Sequence, residues 1–202
     1  MLTVAQALMF RDKMAEQYKA NLYDKERSIA MIAGAGVLAF GGMSPKDFLE
    51  NFSTTIPDPE SVIANPLAPR SAIYLSKTAR ENPDGLAVTV THECHHAFAQ
   101  QKGWPESTWF YAVSDHDRAE EEVQAYVIGE SVSRRLLGFR RSQIEVQASL
   151  DKSYHLGDSA KRLTHPLLKG AWMALDEGLI PPSEVAIFAH SLLDLLGVPF
   201  LR

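Results

Sequence analysis

The pattern of apolar and polar positions divides the chain of 202 residues into helical stretches separated by short polar breaks. Apolar residues three and four positions apart over 3–26 predict an amphipathic helix. A second helix is predicted over 28–39, with Gly41 and Gly42 after it as a stop. The segment "SPKDFLENF", which begins at Ser44, places serine and then proline where a short helix starts. We therefore expect the first quarter of the chain to be helical.

The middle of the chain departs from this helical pattern. Residues 53–70 are rich in proline and have few periodic apolar positions, which predicts a loop and an internal boundary. The segment "SAIYLSK" (71–77) alternates as an edge strand does. After the turn residues "ENPDG", a helix is predicted over 86–101, and the aromatic segment 102–117 is predicted to be irregular.

The last part of the chain returns to helical periodicity. A long helix is predicted over 117–137, with Gly138 as its stop. Further helices are predicted near 141–151, 158–176 and 182–195. The chain is therefore expected to be mainly α (α+β), with one small β-sheet.

Length and composition limit the class of protein. Because 202 residues can bury a sizeable core, we expect a single domain over 1–202, with N-terminal helices in 1–52 and C-terminal helices in 138–202. The hydrophobic share of 46%, the charged share of 22% and the net charge of −5 are typical of a soluble globular protein. No basic run favours nucleic acid or an anionic membrane as a partner.

The compartment is predicted from the cysteine content and from the N-terminal pattern. A single cysteine excludes an intrachain disulfide and fits a reducing compartment. The first residues mix charges into the apolar pattern and lack the features of a signal peptide. The weakly polar stretch 28–43 is short for a membrane span. We therefore expect a cytoplasmic protein.

The segment "HECHH" carries the clearest chemistry. His92 and His96 are four positions apart, so that on a helix both imidazoles can reach one zinc ion. Glu93 is rotated by about 100° from His92, which places its carboxylate beside the ion, where it can act as a general base. The spacing therefore predicts two zinc ligands and one base from a single helical turn.

The flanking residues help to decide whether His92 and His96 bind zinc or are ordinary core histidines. The helix carries no other charge from Leu86 to Ala99, so it is predicted to be buried, and buried imidazoles are costly unless they are coordinated or hydrogen-bonded. The alternative is a set of core histidines satisfied by hydrogen bonds.

His95 points away from the two ligands and is expected to pack beside the site. Cys94 lies on the opposite face, where it is expected to behave as a small hydrophobe, not as a nucleophile paired with histidine.

A third protein ligand is needed, because a catalytic zinc site usually has three. Glu122 lies on a face of small or apolar residues of the next long helix, whereas Glu120 and Glu121 lie nearer polar neighbours. This placement favours Glu122. Glu120, Glu121 and the loop residue His116 remain alternatives, and the acidic run could also be a solvated first turn favoured by the helix dipole.

The pair "HECHH" and "EEVQAY" resembles the gluzincin zinc metallopeptidases, and looks most like their small bacterial and phage members, including the ImmA/IrrE-like group. The resemblance covers 70–137 and implies a minimal zincin core of two packed helices with one small β-sheet. It implies that His92, His96 and Glu122 are zinc ligands and that Glu93 is the general base. It also implies that the strand 71–77 lines the cleft and can pair with an extended substrate. The chain reads "EVQA" where that group has Glu-Ala-Asn, which leaves the choice among the three glutamates open.

No residue of the sequence is singled out as the group that stabilises an oxyanion. The candidates are Tyr111, Tyr126, His116, His155 and His165, each of which could equally pack with no catalytic part.

The sequence therefore leads us to expect a zinc-dependent metallopeptidase that acts on a protein or peptide substrate. One alternative is a non-enzymatic interaction protein with a structural or vestigial zinc site, with the aromatic segment as its docking surface. Another is a regulatory protease specific for one partner protein. A DNA-binding protein is disfavoured by the acidic net charge. The sequence gives neither the cleavage site nor the oligomeric state.

Overall fold

The computed structural model of the chain describes residues 1–29, 31–32, 45–153 and 156–200. In chain order, its helices are α1 (Val4–Gln17), α2 (Pro45–Asn51), α3 (Pro59–Ala64), α4 (Lys77–Glu81), α5 (Pro83–Gly103), α6 (Glu106–Val113), α7 (Asp115–Leu137), α8 (Gln143–Ser153), α9 (Asp158–Asp176) and α10 (Glu184–Leu195). Its strands are β1 (Ala20–Asp24), β2 (Thr54–Pro57) and β3 (Ser71–Leu75), which form a three-stranded sheet. The predicted class, mainly α (α+β) with one small sheet, is confirmed.

The sheet has the order β1-β3-β2, with β1 parallel and β2 antiparallel to β3. The prediction of an edge strand at 71–77 is therefore wrong in one respect, because β3 is the central strand. All five of its residues are buried, since helices cover the sheet and strands flank β3 on both sides. The edge next to α5 is β2, within the segment 53–70 that was predicted to be a loop.

The N-terminal helix is shorter than its periodicity predicted. It ends at Gln17, and Lys19 adopts a positive φ of 45° that turns the chain into β1. The prediction of a helix through residue 26 is wrong because β1 pairs with β3 from Ala20 to Asp24, and the apolar spacing of this short segment does not exclude a strand. Most of the helix predicted over 28–39 lies outside the described residues. The short helix after Ser44 is confirmed as α2.

The later helices agree with the pattern except in the aromatic segment. The helices predicted at 86–101, 117–137 and in the C-terminal third are confirmed as α5, α7, α8, α9 and α10. Gly138 ends α7 in the left-handed conformation, as predicted. The segment 102–117 was predicted to be irregular, but its central half forms α6 and its two ends belong to α5 and α7. The inner side of α6 packs against α5 and α7, which stabilises it as a helix.

The two larger of the three apolar clusters in the described residues hold most of the helices together. One surrounds α5, where Val90, Cys94 and Ala97 pack with residues of α1, β3, α7 and α10. The other lies between α7, α8 and α9 and includes Leu150 and Trp172. The helix α7 contributes to both clusters, so its position is fixed from two sides.

None of the described helices combines the length and the apolar composition that a membrane crossing would need.

Candidate metal centre

The helix α5 places His92 and His96 on one face, toward α7. Asn82 caps its start by accepting hydrogen bonds from the backbone N–H groups of Asp84 and Gly85, and Pro83 occupies the first helical position. Nine helical residues, 83–91, precede His92, so both histidines lie well inside the helix, where the backbone is regular.

Close packing brings the face of α7 to these histidines. At Gly129, a Cβ atom would stand 3.5 Å from the carbonyl oxygen of Val88 and 3.6 Å from Cβ of His92. A small residue at position 129 thus lets the two helices approach closely. Glu122, two turns earlier on α7, is buried with 1% of its surface exposed.

The side chains of His92, His96 and Glu122 converge. One potential ligand atom from each lies within 4.8 Å of the others. The two Nε2 atoms are 3.3 Å apart, and Glu122 approaches them at 3.3 Å from His96 and 3.5 Å from His92. Two imidazoles and one carboxylate form a donor set that suits a catalytic zinc ion.

The electrostatics of the cluster fit a cation. Burial alone would raise the pKa of Glu122, but the two neighbouring imidazoles outweigh it and hold this pKa well below its usual value. Burial lowers the pKa of His96, but Glu122 and Glu121 outweigh burial and raise it well above its usual value. Oε2 of Glu122 is buried, and its contact with Nε2 of His92, at 3.5 Å, is too long for a good hydrogen bond. A buried carboxylate oxygen is costly unless a cation or a close donor meets it.

The three consecutive glutamates occupy three different environments. Glu122 belongs to the cluster, and Glu120 is exposed. Glu121 lies 2.8 Å from Nδ1 of His96 through one carboxylate oxygen. A carboxylate on Nδ1 fixes the ring and leaves Nε2 free to bind a metal. Of the candidates for third ligand, the structure therefore brings Glu122 to the two histidines, and His116 instead contacts Ser159 at 3.1 Å.

Glu93 lies beside the cluster and is 5% exposed. Its Oε2 accepts a hydrogen bond of 2.7 Å from the hydroxyl of Thr55 on β2. Together with His92 it lines two adjacent cavities of about 190 and 400 Å³. Glu93 therefore borders both cavities.

Strand β2 borders the first cavity. This cavity is lined by residues 53–56 and by the inner side of α6, with Ser107, Thr108 and Tyr111. The expectation that the strand 71–77 can pair with an extended substrate is wrong, because both edges of β3 are paired with neighbouring strands. Of this segment, Ser76 lines the second cavity. The strand that borders the first cavity is instead β2, which lies in the proline-rich segment 53–70 that was predicted to be a loop.

The two remaining residues of "HECHH" lie away from the convergence point. Cys94 is fully buried in the cluster around α5, and burial raises the pKa of its thiol. His95 is 6% exposed, and burial, followed by the repulsion of His96 and His92, lowers its pKa to about 3. His95 is therefore neutral and packs beside the site.

Of the five candidates for an oxyanion stabiliser, Tyr111 has its hydroxyl at the cluster, where it donates a hydrogen bond to Oε1 of Glu122. The ring of Tyr126 packs edge-on against His92, with centroids 4.8 Å apart. His116 and His165 lie elsewhere, and His155 is outside the described residues. Sequence reasoning had left Tyr111 undecided and had missed Thr55. The sequence provided little indication of either residue, because Thr55 lies on β2 and Tyr111 on α6, and the pattern predicted neither element.

The chain matches no protein-family model, no curated protein and no solved structure. The gluzincin resemblance therefore stays a prediction from two short motifs.

Proposed function

We propose that this protein is a zinc-dependent metallopeptidase of gluzincin type. One observation carries the proposal: the ligand atoms of His92, His96 and Glu122 lie within 4.8 Å of one another, beside the carboxylate of Glu93. A structural zinc site needs no base, whereas this cluster has one that faces two cavities. The substrate class would be a protein or peptide.

Three residues would hold the ion, each with support from its surroundings. His96 would bind through Nε2, because Glu121 occupies its Nδ1 side at 2.8 Å. His92 presents its Nε2 to the same point, and Glu122 presents a buried carboxylate. A bound zinc ion would supply a Lewis acid that lowers the pKa of water and polarises the substrate carbonyl.

Glu93 would move the proton. Its carboxylate takes a proton from the water as the water oxygen bonds to the carbonyl carbon. It then returns the proton to the amide nitrogen as the carbon–nitrogen bond breaks. The products are a carboxylic acid and an amine, so the reaction consumes one water for each bond.

Tyr111 would stabilise the negative charge that develops on the carbonyl oxygen. Burial, followed by the nearby charge of Glu122, raises the pKa of Tyr111, so that its hydroxyl keeps its proton at neutral pH. A protonated hydroxyl at the edge of the first cavity can donate a hydrogen bond to an oxyanion. To do this it would exchange its present acceptor, Glu122, for the substrate oxygen.

The substrate would lie along β2. This strand is at the end of the sheet, and residues 53–56 border the first cavity. An extended peptide can add to such an edge through backbone hydrogen bonds. Peptide pairing at this edge would bring the scissile bond across the face of α5 that carries Glu93.

The test is the hydrolysis of a peptide library by zinc-loaded protein and by the Glu93→Gln variant. We expect the variant to keep about one zinc per chain and to lose at least about 10²-fold in kcat, because the general base is removed without the ligands. The exposed Glu177→Gln variant is the control and should keep both zinc and activity. A wild-type protein without stoichiometric zinc, or a Glu93→Gln variant with full activity, would contradict the proposal.

A second candidate is a protease restricted to one partner protein. The observation in its favour is α6, whose inner side lines the first cavity while Trp109 and Phe110 on its outer side are 66% and 51% exposed. Exposed aromatic side chains beside a cleft are typical of a docking surface. A zinc-loaded protein that cleaves no library peptide but cleaves one co-encoded protein would favour this candidate over a general peptidase.

A further inference from the structure

We propose that Thr55 is a positioning residue that orients the carboxylate of Glu93 for catalysis. The proposal rests on the proposed function, since it concerns the base of that reaction. Thr55 lies on β2, 38 positions before Glu93 in the chain, so that the contact is one of tertiary structure.

The hydroxyl of Thr55 contacts Glu93 at two points. It donates to Oε2 of the carboxylate at 2.7 Å and lies 3.2 Å from the backbone carbonyl oxygen of the same residue. A glutamate side chain has three rotatable bonds, and the hydrogen bond to Oε2 restricts all of them. One carboxylate oxygen is thereby held, and the other remains available for the proton of the attacking water.

Thr55 is itself held on several sides. It pairs with Ile73 in the antiparallel ladder between β2 and β3. Its carbonyl oxygen accepts a hydrogen bond of 3.3 Å from the amide of Gln100, which lies two turns after Glu93 on α5. Gln100 in turn accepts a hydrogen bond of 3.1 Å from the hydroxyl of Ser71 on β3. The sheet and the metal-binding helix thus fix Thr55 from both sides.

A buried lysine anchors the chain where it enters β2. Lys25 is fully buried and donates to the carbonyl oxygen of Phe52 at 2.8 Å and to the hydroxyl of Thr54 at 2.5 Å. Its ammonium also lies 3.4 Å from the ring centroid of Phe48 on α2. Since Thr55 follows Thr54 directly, this anchor restricts the position of its hydroxyl.

A purely structural role would leave catalysis unaffected. In that case the hydroxyl would only satisfy a buried carboxylate, and any substitution would act through folding. A positioning role predicts a selective loss in kcat, because small displacements of a reacting group can lower rates by up to about 10²-fold. The two roles therefore differ in what a rate measurement shows.

The experiment compares Thr55→Val, which keeps the shape but removes the hydroxyl, with Thr55→Ser, which keeps the hydroxyl. Thr164→Val is the matched control, because Thr164 is also buried and donates to a side chain, Gln147, away from the cleft. All proteins are zinc-loaded, and their zinc content, kcat and KM are measured on one library peptide. We expect Thr55→Val to lose about 10- to 100-fold in kcat with little change in KM. Thr55→Ser should stay within about threefold of wild type and Thr164→Val should match it, since neither removes the contact with Glu93.

The outcomes separate the two proposals. If wild-type protein binds zinc and hydrolyses peptides but Thr55→Val keeps its kcat, the role of Thr55 is overturned and the proposed function stands. The same conclusion follows if Thr55→Ser loses as much activity as Thr55→Val. If wild-type protein neither binds zinc nor hydrolyses peptides, the proposed function falls, and the catalytic role of Thr55 falls with it.

A second readout does not need activity. Thermal midpoints of metal-free protein are measured for Thr55→Val, Glu93→Ala and the double variant. We expect the shift caused by Thr55→Val to shrink when Glu93 is already replaced, whereas the shift caused by Thr164→Val should be the same in both backgrounds. Equal shifts of Thr55→Val in the two backgrounds would show that the two side chains are not coupled and would overturn the proposal.

Discussion

At the scale of single residues, the acidic run of α7 shows how neighbours in sequence reach different environments. Successive positions of a helix differ by about 100° in direction, so that Glu120, Glu121 and Glu122 point to solvent, to Nδ1 of His96 and into the cluster. A change of glutamate to glutamine at each position should therefore have a different effect on zinc binding.

The middle glutamate provides the sharpest prediction. Glu121→Gln removes the charged acceptor on Nδ1 of His96 and should weaken zinc binding by about 10- to 100-fold, because such carboxylates orient the ligand and raise its basicity. A titration against a chelator of known affinity measures the change. Glu120→Gln is the matched control, since Glu120 is exposed, and equal affinities of the two variants would contradict the role of Glu121.

Residue spacing in the sequence was sufficient to predict the part of the site that lies on α5, but not the rest. His92, Glu93 and His96 lie within one turn of one helix, where spacing alone determines direction. Glu122 could be favoured over its neighbours because its face is apolar, which follows from the same periodicity. Thr55 could not be found in this way, because its contact depends on how the sheet packs over α5.

At the scale of elements, the site depends on the close approach of α5 and α7. Gly129 of α7 faces Val88 and His92 of α5, and a methyl group there would be in ordinary contact. A larger side chain would have to displace these neighbours or enter the second cavity, which Gly129 also lines. The distance between the two helices therefore sets the distance between Glu122 and the two histidines.

Two substitutions at Gly129 should have opposite effects. Gly129→Ala should leave zinc binding intact and stabilise the protein by about 0.5–1 kcal/mol, because alanine is the better helix former and the added Cβ meets atoms at 3.5 Å or more. Gly129→Leu should separate the helices and destabilise the protein by about 1–3 kcal/mol. Chemical denaturation and zinc titration of both variants measure this, and undiminished zinc affinity in Gly129→Leu would show that the close approach is unnecessary.

The elements that sequence patterns missed are those that long-range pairing creates. The strands β1 and β2 are short, and the segment of β1 continues the apolar spacing of α1. Both strands exist because β3 provides hydrogen-bonding partners on each side. The helix α6 is rich in aromatic residues, whose helix propensity is modest. Its stability as a helix therefore comes from packing against α5 and α7.

At the scale of the whole molecule, a buried polar network attaches the C-terminal helix to α7. Arg135 of α7 is 1% exposed and donates to the carbonyl oxygen of His190 at 2.7 Å and to that of Val198 at 3.2 Å. The imidazole of His190 lies 3.1 Å from the hydroxyl of Ser131, 3.5 Å from the guanidinium of Arg135 and against the ring of Phe200. The network thus joins the end of the chain to the helix that carries Glu122.

This network predicts a dependence of stability on pH. Burial, followed by the charge of Arg135, lowers the pKa of His190 to about 4, although Asp194 acts in the opposite direction. The unfolded chain, with an ordinary histidine pKa, binds the proton first as the pH falls. The folded state should therefore lose up to about 3 kcal/mol from this group between pH 6.5 and pH 4, and none above that range.

The prediction is checked by unfolding metal-free protein in denaturant at several pH values. His190→Gln should show a smaller loss of stability between pH 6.5 and pH 4 than wild type, and the exposed His165→Gln variant serves as the control. Identical pH dependence in wild type and His190→Gln would exclude His190 as the cause.

The zinc content of the purified protein tests the proposed metal centre most directly. Purified protein is loaded with zinc, passed through a desalting column and analysed for metal by mass spectrometry, next to the Glu122→Ala and Glu120→Ala variants. We predict about one zinc per chain in wild type and in Glu120→Ala, and much less than one in Glu122→Ala, because Glu122 is the residue that joins the two histidines in the described part of the chain. Wild-type protein without bound zinc, or Glu122→Ala with a full complement, would contradict the account.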